Sequence, residues 1–168
     1  MEGKSKIYYF SEISRCIPGV DSFPGWAQNE AVPSDLYSFT SSLSQKKTVT
    51  INGKRVDYKI EKGYAVLEYK WKKGDVVEVS LPMDARRVVA NEKVKDDAGK
   101  VALQVGPLMY CAEWADNDGR ASNFILPGAA VFAKEFKAGL LNGITILRSE
   151  LPAVFIDSKG ESISTVKK

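Results

Sequence analysis

Hydrophobic and polar positions alternate with a period of two along most of this chain. Thr48-Val49-Thr50-Ile51 runs into Asn52-Gly53, the strongest short-range hairpin signal, and Arg55-Val56-Asp57-Tyr58-Lys59-Ile60 reads as the return strand. Ala65, Leu67, Tyr69 and Trp71 then share one face, with Glu68 and Lys70 on the other. The turn Lys72-Lys73-Gly74-Asp75 leads to a strand from Val76 to Leu81. There Val77, Val79 and Leu81 face inward, Glu78 and Ser80 outward, and Pro82 ends the strand because it cannot donate to a ladder. Arg86 to Ala90 is a further candidate strand, followed by a charged turn over Asn91 to Gly99. Val101, Leu103 and Val105 alternate up to Gly106-Pro107, and Leu108 to Trp114, the most apolar run, is expected at the centre of a sheet. Later candidate strands are Ala130–Phe136, Ile144–Leu147, Ala153–Ile156 and Ser162–Val166.

Residues 1–45 are less regular. Pro18-Gly19, Pro24-Gly25 and Pro33 break them into short pieces, and Ser34 could cap a helical turn carrying Leu36, Tyr37 and Phe39. About ten short strands at 8–12-residue spacing, with little helix period, predict an all-β, antiparallel β-sandwich. The expected organisation is an irregular segment over residues 1–24, a β-sandwich over 25–115, and further strands of the same or a second, truncated sandwich over 116–168.

Composition narrows the chemistry. With 168 residues, 44% hydrophobic and 27% charged, the chain can bury roughly 70% of its surface without metal or disulfides. No apolar run approaches the roughly 20 residues of a spanning helix, so no membrane partner is expected. Residues Met1 to Phe10 lack the apolar core of a signal peptide, as in a cytoplasmic protein or an excised piece of a larger one, and localisation stays open. The net charge of +3, from 24 basic and 21 acidic residues, is close to neutral, and the scattered pairs Lys46-Lys47, Lys72-Lys73 and Arg86-Arg87 read as a solvated face, so no nucleic-acid partner is expected. The absence of histidine removes Ser-His-Asp triads, Cys-His dyads and histidine-bound metals, and Cys16 and Cys111 cannot make a four-thiolate site. No cofactor or metal is expected.

Four groups of residues retain candidate chemistry. Glu113 with Asp116 or Asp118 is either a carboxylate pair of glycosidase type or a solvated strand end and acidic turn. Asp116-Asn117-Asp118-Gly119 opens like a calcium loop, but Arg120, Ala121 and Pro127 stand where an EF-hand needs an oxygen ligand, glycine and glutamate. Cys111, in an apolar strand, is expected to be a buried, inert hydrophobe. Trp26, Tyr37, Trp71 and Trp114 could stack on sugar rings. In a sandwich, Trp71 and Trp114 belong in the core, which leaves Trp26 and Tyr37 as the carbohydrate-binding candidates.

From Gly25 to about Lys168 the chain resembles the C-terminal portion of glycoside hydrolase family 127, the β-L-arabinofuranosidase family. The similarity runs in order through Pro24-Gly25-Trp26-Ala27, Val32-Pro33-Ser34-Asp35-Leu36-Tyr37, Ile51-Asn52-Gly53-Lys54, Lys62-Gly63-Tyr64-Ala65-Val66, Trp71 to Val77 and Leu81-Pro82-Met83. It continues through Arg86-Arg87-Val88-Val89-Ala90-Asn91, Lys100-Val101-Ala102-Leu103-Gln104, and Gly106-Pro107 with Tyr110-Cys111-Ala112-Glu113-Trp114. The resemblance implies β-sandwich domains following an (α/α)6 catalytic barrel, whose cysteine nucleophile, glutamates and cysteine-rich zinc site have no matching positions here. No catalytic residue is therefore carried over.

Three departures stand out. Residues 1–23 do not follow the family pattern, Val105 replaces the arginine usual before Gly-Pro, and the chain stops short of the family's closing aromatic-rich strands. The expectation is a fragment that is not an enzyme on its own: an accessory β-sandwich whose partner is the catalytic barrel of a parent enzyme, with glycans as alternative ligands. An unpaired sheet edge would favour a homodimer. The parent family often acts in the periplasm or outside the cell.

Overall fold

The computed structural model describes residues 3–8, 23–117, 119, 121–156 and 162–167. The chain divides into two compact units, Met1–Met109 and Tyr110–Lys168.

The first unit is built from strands β1 (Gly3–Tyr8), β2 (Tyr37–Phe39), β3 (Thr48–Ile51), β4 (Lys54–Val56), β5 (Lys59–Glu61), β6 (Tyr64–Val66), β7 (Val76–Leu81), β8 (Ala85–Ala90), β9 (Val101–Val105) and β10 (Leu108–Tyr110), the last reaching the unit boundary. They form one four-stranded sheet in the order β1-β7-β3-β4, a second in the order β10-β9-β8-β2, and the hairpin β5–β6. The architecture is all-β and antiparallel, with helix confined to 3₁₀ turns at Gly25–Gln28, Lys95–Asp97 and Trp114–Asp116 among the described residues.

Local chemistry explains the first sheet. Asn52 and Gly53 adopt positive φ of 52° and 76°, the conformation of a two-residue type I′ loop, and set the register Ile51↔Lys54 and Val49↔Val56. Against β7, Val49 faces Val79 and Ile51 faces Val77, so the alternation read from the sequence becomes a ladder of apolar cross-strand pairs. Phe23, Ala65 and Leu67 close over that ladder to make the core, with Val56, Tyr58, Trp71 and Leu81 packed against it. Each buried valine, leucine or isoleucine there stabilises the fold by about 2 kcal/mol.

The structure revises four expectations in this unit. The return strand predicted over Arg55–Ile60 is two strands, because Lys62-Gly63 forms a second two-residue loop that draws β5 away to pair with β6. Between them Tyr58 turns its ring onto Phe23, with centroids 5.6 Å apart. The turn at Pro33 exists, with the Leu36 and Tyr37 amides donating to the Pro33 carbonyl, but Tyr37–Phe39 extends into β2 because β8 offers it a pairing edge. β10 is short and lies at a sheet edge, with Leu108 and Met109 exposed. An apolar run does not set a strand's place when β9 already has β8 on its other side. Finally, Gly3–Tyr8, within the segment expected to be irregular, pairs with β7 from Gly3↔Leu81 to Tyr8↔Val76.

The second unit holds two ribbons, β11 (Ala133–Lys137) with β12 (Ile144–Arg148) and β13 (Leu151–Ile156) with β14 (Ser162–Lys167). These fall close to the predicted positions. A bridge between Phe124 and Ala153 adds the 123–125 segment to β13 through Val154 N–H to the Asn123 carbonyl (3.0 Å) and Ile125 N–H to the Pro152 carbonyl (2.8 Å).

Candidate functional site

Alternation along β8 places Arg86 on the same face as Val88, and both are buried. The Arg86 guanidinium donates from Nη1 to Asn29 Oδ1 at 3.1 Å and from Nη2 to the Trp26 carbonyl, and it lies 3.5 Å from the centroid of the Phe39 ring. Burial lowers its pKa, with the charge of Asp84 opposing, but an arginine remains protonated. Arg86 is thus no solvated cation, as the sequence pattern suggested; it holds the Gly25–Gln28 turn in place. Asn29, in the left-handed conformation at φ 68°, accepts from the Leu43 amide with the same Oδ1 at 3.2 Å. Two separated segments, 25–29 and 43–47, are thereby drawn together.

Between them runs an open groove of about 530 Å³. Gln28, Asn29, Gln45, Lys46, Lys47, Arg55 and Tyr58 give it polar walls, with Ala27 and Leu43 as apolar contributions. Lys47 Nζ sits 4.7 Å from the centroid of the Phe23 ring, and burial lowers its pKa. The Tyr58 hydroxyl donates to the Lys47 carbonyl at 3.3 Å; burial raises its pKa, and the charge of Arg55 opposes that rise. The sequence reading missed this convergence. Its signal was the Asn52-Gly53 hairpin, whose register, continued past Val49↔Val56, brings Tyr58 opposite Lys47.

The second unit carries an open cleft of about 500 Å³ lined by Glu113, Trp114, Gly119 and Ser122 with neighbouring alanines. Trp114, expected in the core, is 71% exposed, because it follows β10 on a 3₁₀ turn outside any sheet. Trp71 does pack against the core. Glu113 is exposed, while Asp118 and the side chain of Asp116 lie outside the described residues, as does Cys16. Cys111 is a free, exposed thiol rather than a buried one, since it lies beyond the end of β10.

Trp26 is half-buried, its ring directed toward Gly106. A Cβ at Gly106 would lie 2.6 Å from Met83 Sδ, a contact that the flexible methionine could relieve by shifting, but φ there is +56°, and that backbone conformation favours glycine. The Tyr37 hydroxyl donates to Asp97 Oδ2 at 2.9 Å, and this bond to a carboxylate raises its pKa. Neither Trp26 nor Tyr37 lines either cleft. Among the described residues no group of three or more side chains is arranged to hold a metal ion.

Comparison with known proteins decides the family. Residues 22–83 match the middle-domain model of β-L-arabinofuranosidase, GH127, and residues 85–158 match the glycoside hydrolase family 127 C-terminal domain. The chain belongs to glycoside hydrolase family 127. It is 40% identical over 112 residues to a non-reducing end β-L-arabinofuranosidase of Bifidobacterium longum subsp. longum, covering 64% of this chain and 16% of that protein. Among solved structures, a GH127 β-arabinofuranosidase superposes over 99% of the chain and 24% of its own, at 34% identity and a TM-score of 0.76. A GH127 β-L-arabinofuranosidase from Geobacillus stearothermophilus T6 matches 73% of the chain and 21% of its own, at 34% identity and a TM-score of 0.66. The chain therefore spans between a sixth and a quarter of the length of these relatives.

The two GH127 matches meet around Asp84, in the connection between β7 and β8. The Arg86 cluster consequently ties the start of the C-terminal match to Trp26 and Asn29 of the middle match, within the first compact unit.

Proposed function

We propose that this chain is a non-catalytic accessory portion of a GH127 β-L-arabinofuranosidase-type enzyme, supporting an (α/α)6 catalytic barrel carried elsewhere in the parent protein. The observation that carries this reading is the succession of middle-domain and C-terminal-domain matches over residues 22–83 and 85–158, in a chain spanning 16% of its curated relative. Large apolar side chains held in solvent give further support: Val131 at 82%, Leu141 at 78% and Phe136 at 54% exposure are suited to being covered by a neighbouring domain. The barrel, its arabinofuranoside substrate and the docking are parts of the proposal.

The test is a hydrolysis assay of the purified chain on para-nitrophenyl β-L-arabinofuranoside. The expected result is no turnover above a buffer blank. Release of nitrophenol in proportion to protein concentration, abolished in Glu113→Gln, would instead make the chain a hydrolase in its own right.

A further inference from the structure

We propose that the groove between the 25–29 turn and the 43–58 hairpin region is a binding site for a short acidic oligosaccharide, with sugar carboxylates held by Lys46, Lys47 and Arg55. The groove's volume, about 530 Å³, falls in the range of small-molecule sites. Of its described lining residues three are cationic and none is acidic. Among the described residues none of the three cations forms an ion pair with a carboxylate, although Lys59, Lys100, Lys137 and Arg148 elsewhere do.

Lys47 is the most telling of the three. Its ammonium group is partly withdrawn from water over the Phe23 ring, where a cation costs more to hold, and an anion in the groove would offset that cost. Arginine supplies a planar fork suited to a carboxylate, and the lysines supply point charges. The remaining walls suit sugar hydroxyls. Asn29 Oδ1 is already taken by Arg86 and by the Leu43 amide, so the end it can offer a ligand is its amide donor, and Gln45 adds a second amide. Tyr58 contributes an aromatic side held in place by Phe23. A nucleic-acid strand fits less well, because Tyr58 is the sole aromatic among the described lining residues and successive bases need successive stacking platforms.

The groove is also held open by groups other than its own cations. Arg86 anchors one wall from behind, through Asn29 and Trp26, and the Asn52-Gly53 hairpin register fixes the other. A ligand therefore meets walls whose backbone is already positioned, which lowers the ordering cost of binding.

The sugar half of this inference rests on the family reading above; the charge half rests on the groove alone. The experiment is a titration of the ¹⁵N-labelled chain, followed by amide chemical shifts, with three probes: trigalacturonate, neutral arabinotriose and inorganic phosphate. Trigalacturonate is expected to give saturable shifts at residues 27–29, 45–47 and 55–58, and arabinotriose and phosphate to bind at least tenfold more weakly. The double variant Lys46→Gln with Arg55→Gln should weaken trigalacturonate at least tenfold, while Lys93→Gln with Lys95→Gln, which removes the same charge elsewhere, should not. Raising sodium chloride on the unmodified chain should weaken binding as well, a readout independent of whether the variant folds.

Equal binding by the groove variant, equal affinity for phosphate, or no saturable shift with trigalacturonate would each overturn the proposal. None of these outcomes bears on the accessory-domain reading, which falls only if the chain hydrolyses the arabinofuranoside.

Discussion

The two compact units solve the problem of burying apolar surface to very different extents. In Met1–Met109, two β-sheets and a hairpin remove Phe23, Val49, Ile51, Leu67, Val77 and Val79 almost entirely from water. In Tyr110–Lys168, two separate ribbons bury Ala153 alone among the described hydrophobic side chains, and leave Trp114, Val131, Phe136 and Leu141 exposed. Strand pairing is equally regular in both. The difference lies in the second layer: a two-stranded ribbon pairs only the inner edge of each strand and cannot cover its own faces, and isolated ribbons are marginal in water. Among the described residues the first unit thus encloses a shared core, whereas the second leaves large apolar side chains at its surface.

Core truncation separates the two most sharply. Leu67→Ala should cost about 3 kcal/mol of stability in urea unfolding, because the leucine is enclosed on all sides. Leu147→Ala, on a half-exposed ribbon, should cost about 1 kcal/mol or less. Equal losses would erase the distinction.

Arg86→Ala comes next, at about 2 kcal/mol, since it strands the Trp26 carbonyl in a part-buried place and leaves Asn29 Oδ1 with the Leu43 amide alone. Its diagnostic consequence is local. Shifts of the 25–29 and 43–47 amides should exceed those of β7, and a uniform change would show that Arg86 is not a local anchor.

Acid should act on both units through different physics. Hydrogen bonds from the Asn52 amide and then the Lys72 backbone hold Asp75 below its ordinary 3.8, against the opposing effect of burial. Glu135 is held below 4.5 by hydrogen bonds and charge from Lys137 and Arg148 on an exposed ribbon. For both carboxylates the folded value is the lower one. Their stabilisation is therefore present above the ordinary value and is lost as pH falls through the depressed one. Salt sharpens the contrast: 0.5 M sodium chloride should largely suppress the Glu135 contribution and leave that of Asp75, which comes mainly from neutral donors. An acid-unfolding scan of Asp75→Asn and Glu135→Gln at two salt concentrations measures it. Equal salt sensitivity would contradict the assignment.

The smallest effect is chemical. Cys111 should be alkylated by a maleimide in the native protein nearly as fast as in urea, as peptide mapping would show; strong native protection would contradict its exposure.

Much of the fold was legible because local rules and tertiary structure agree. Alternation located β3, β7, β8 and β9, and Asn52-Gly53 located the first hairpin together with its register. What escaped was set by pairing at long range. Nothing local in Gly3–Tyr8 announces that β7 has a free edge for it, and the aromatic Tyr37–Phe39 stretch is drawn into β2 by β8. Arg86 looked like a surface charge because its composition outweighed its position, yet its parity with Val88 already placed it on the inner face. The groove was the hardest to read. Lys46-Lys47 and Arg55 look scattered along the chain and meet only once the hairpin folds.

Met1–Met109 encloses a core and Tyr110–Lys168 leaves large described apolar side chains exposed, so the second unit should open locally where the first does not. Native-state hydrogen exchange tests it most directly. Amides of β3 and β7 should exchange only through global unfolding, and those of β11 and β12 should exchange at least a hundredfold faster through local opening. Matching protection in β7 and β12 would show a single cooperative fold and contradict this division.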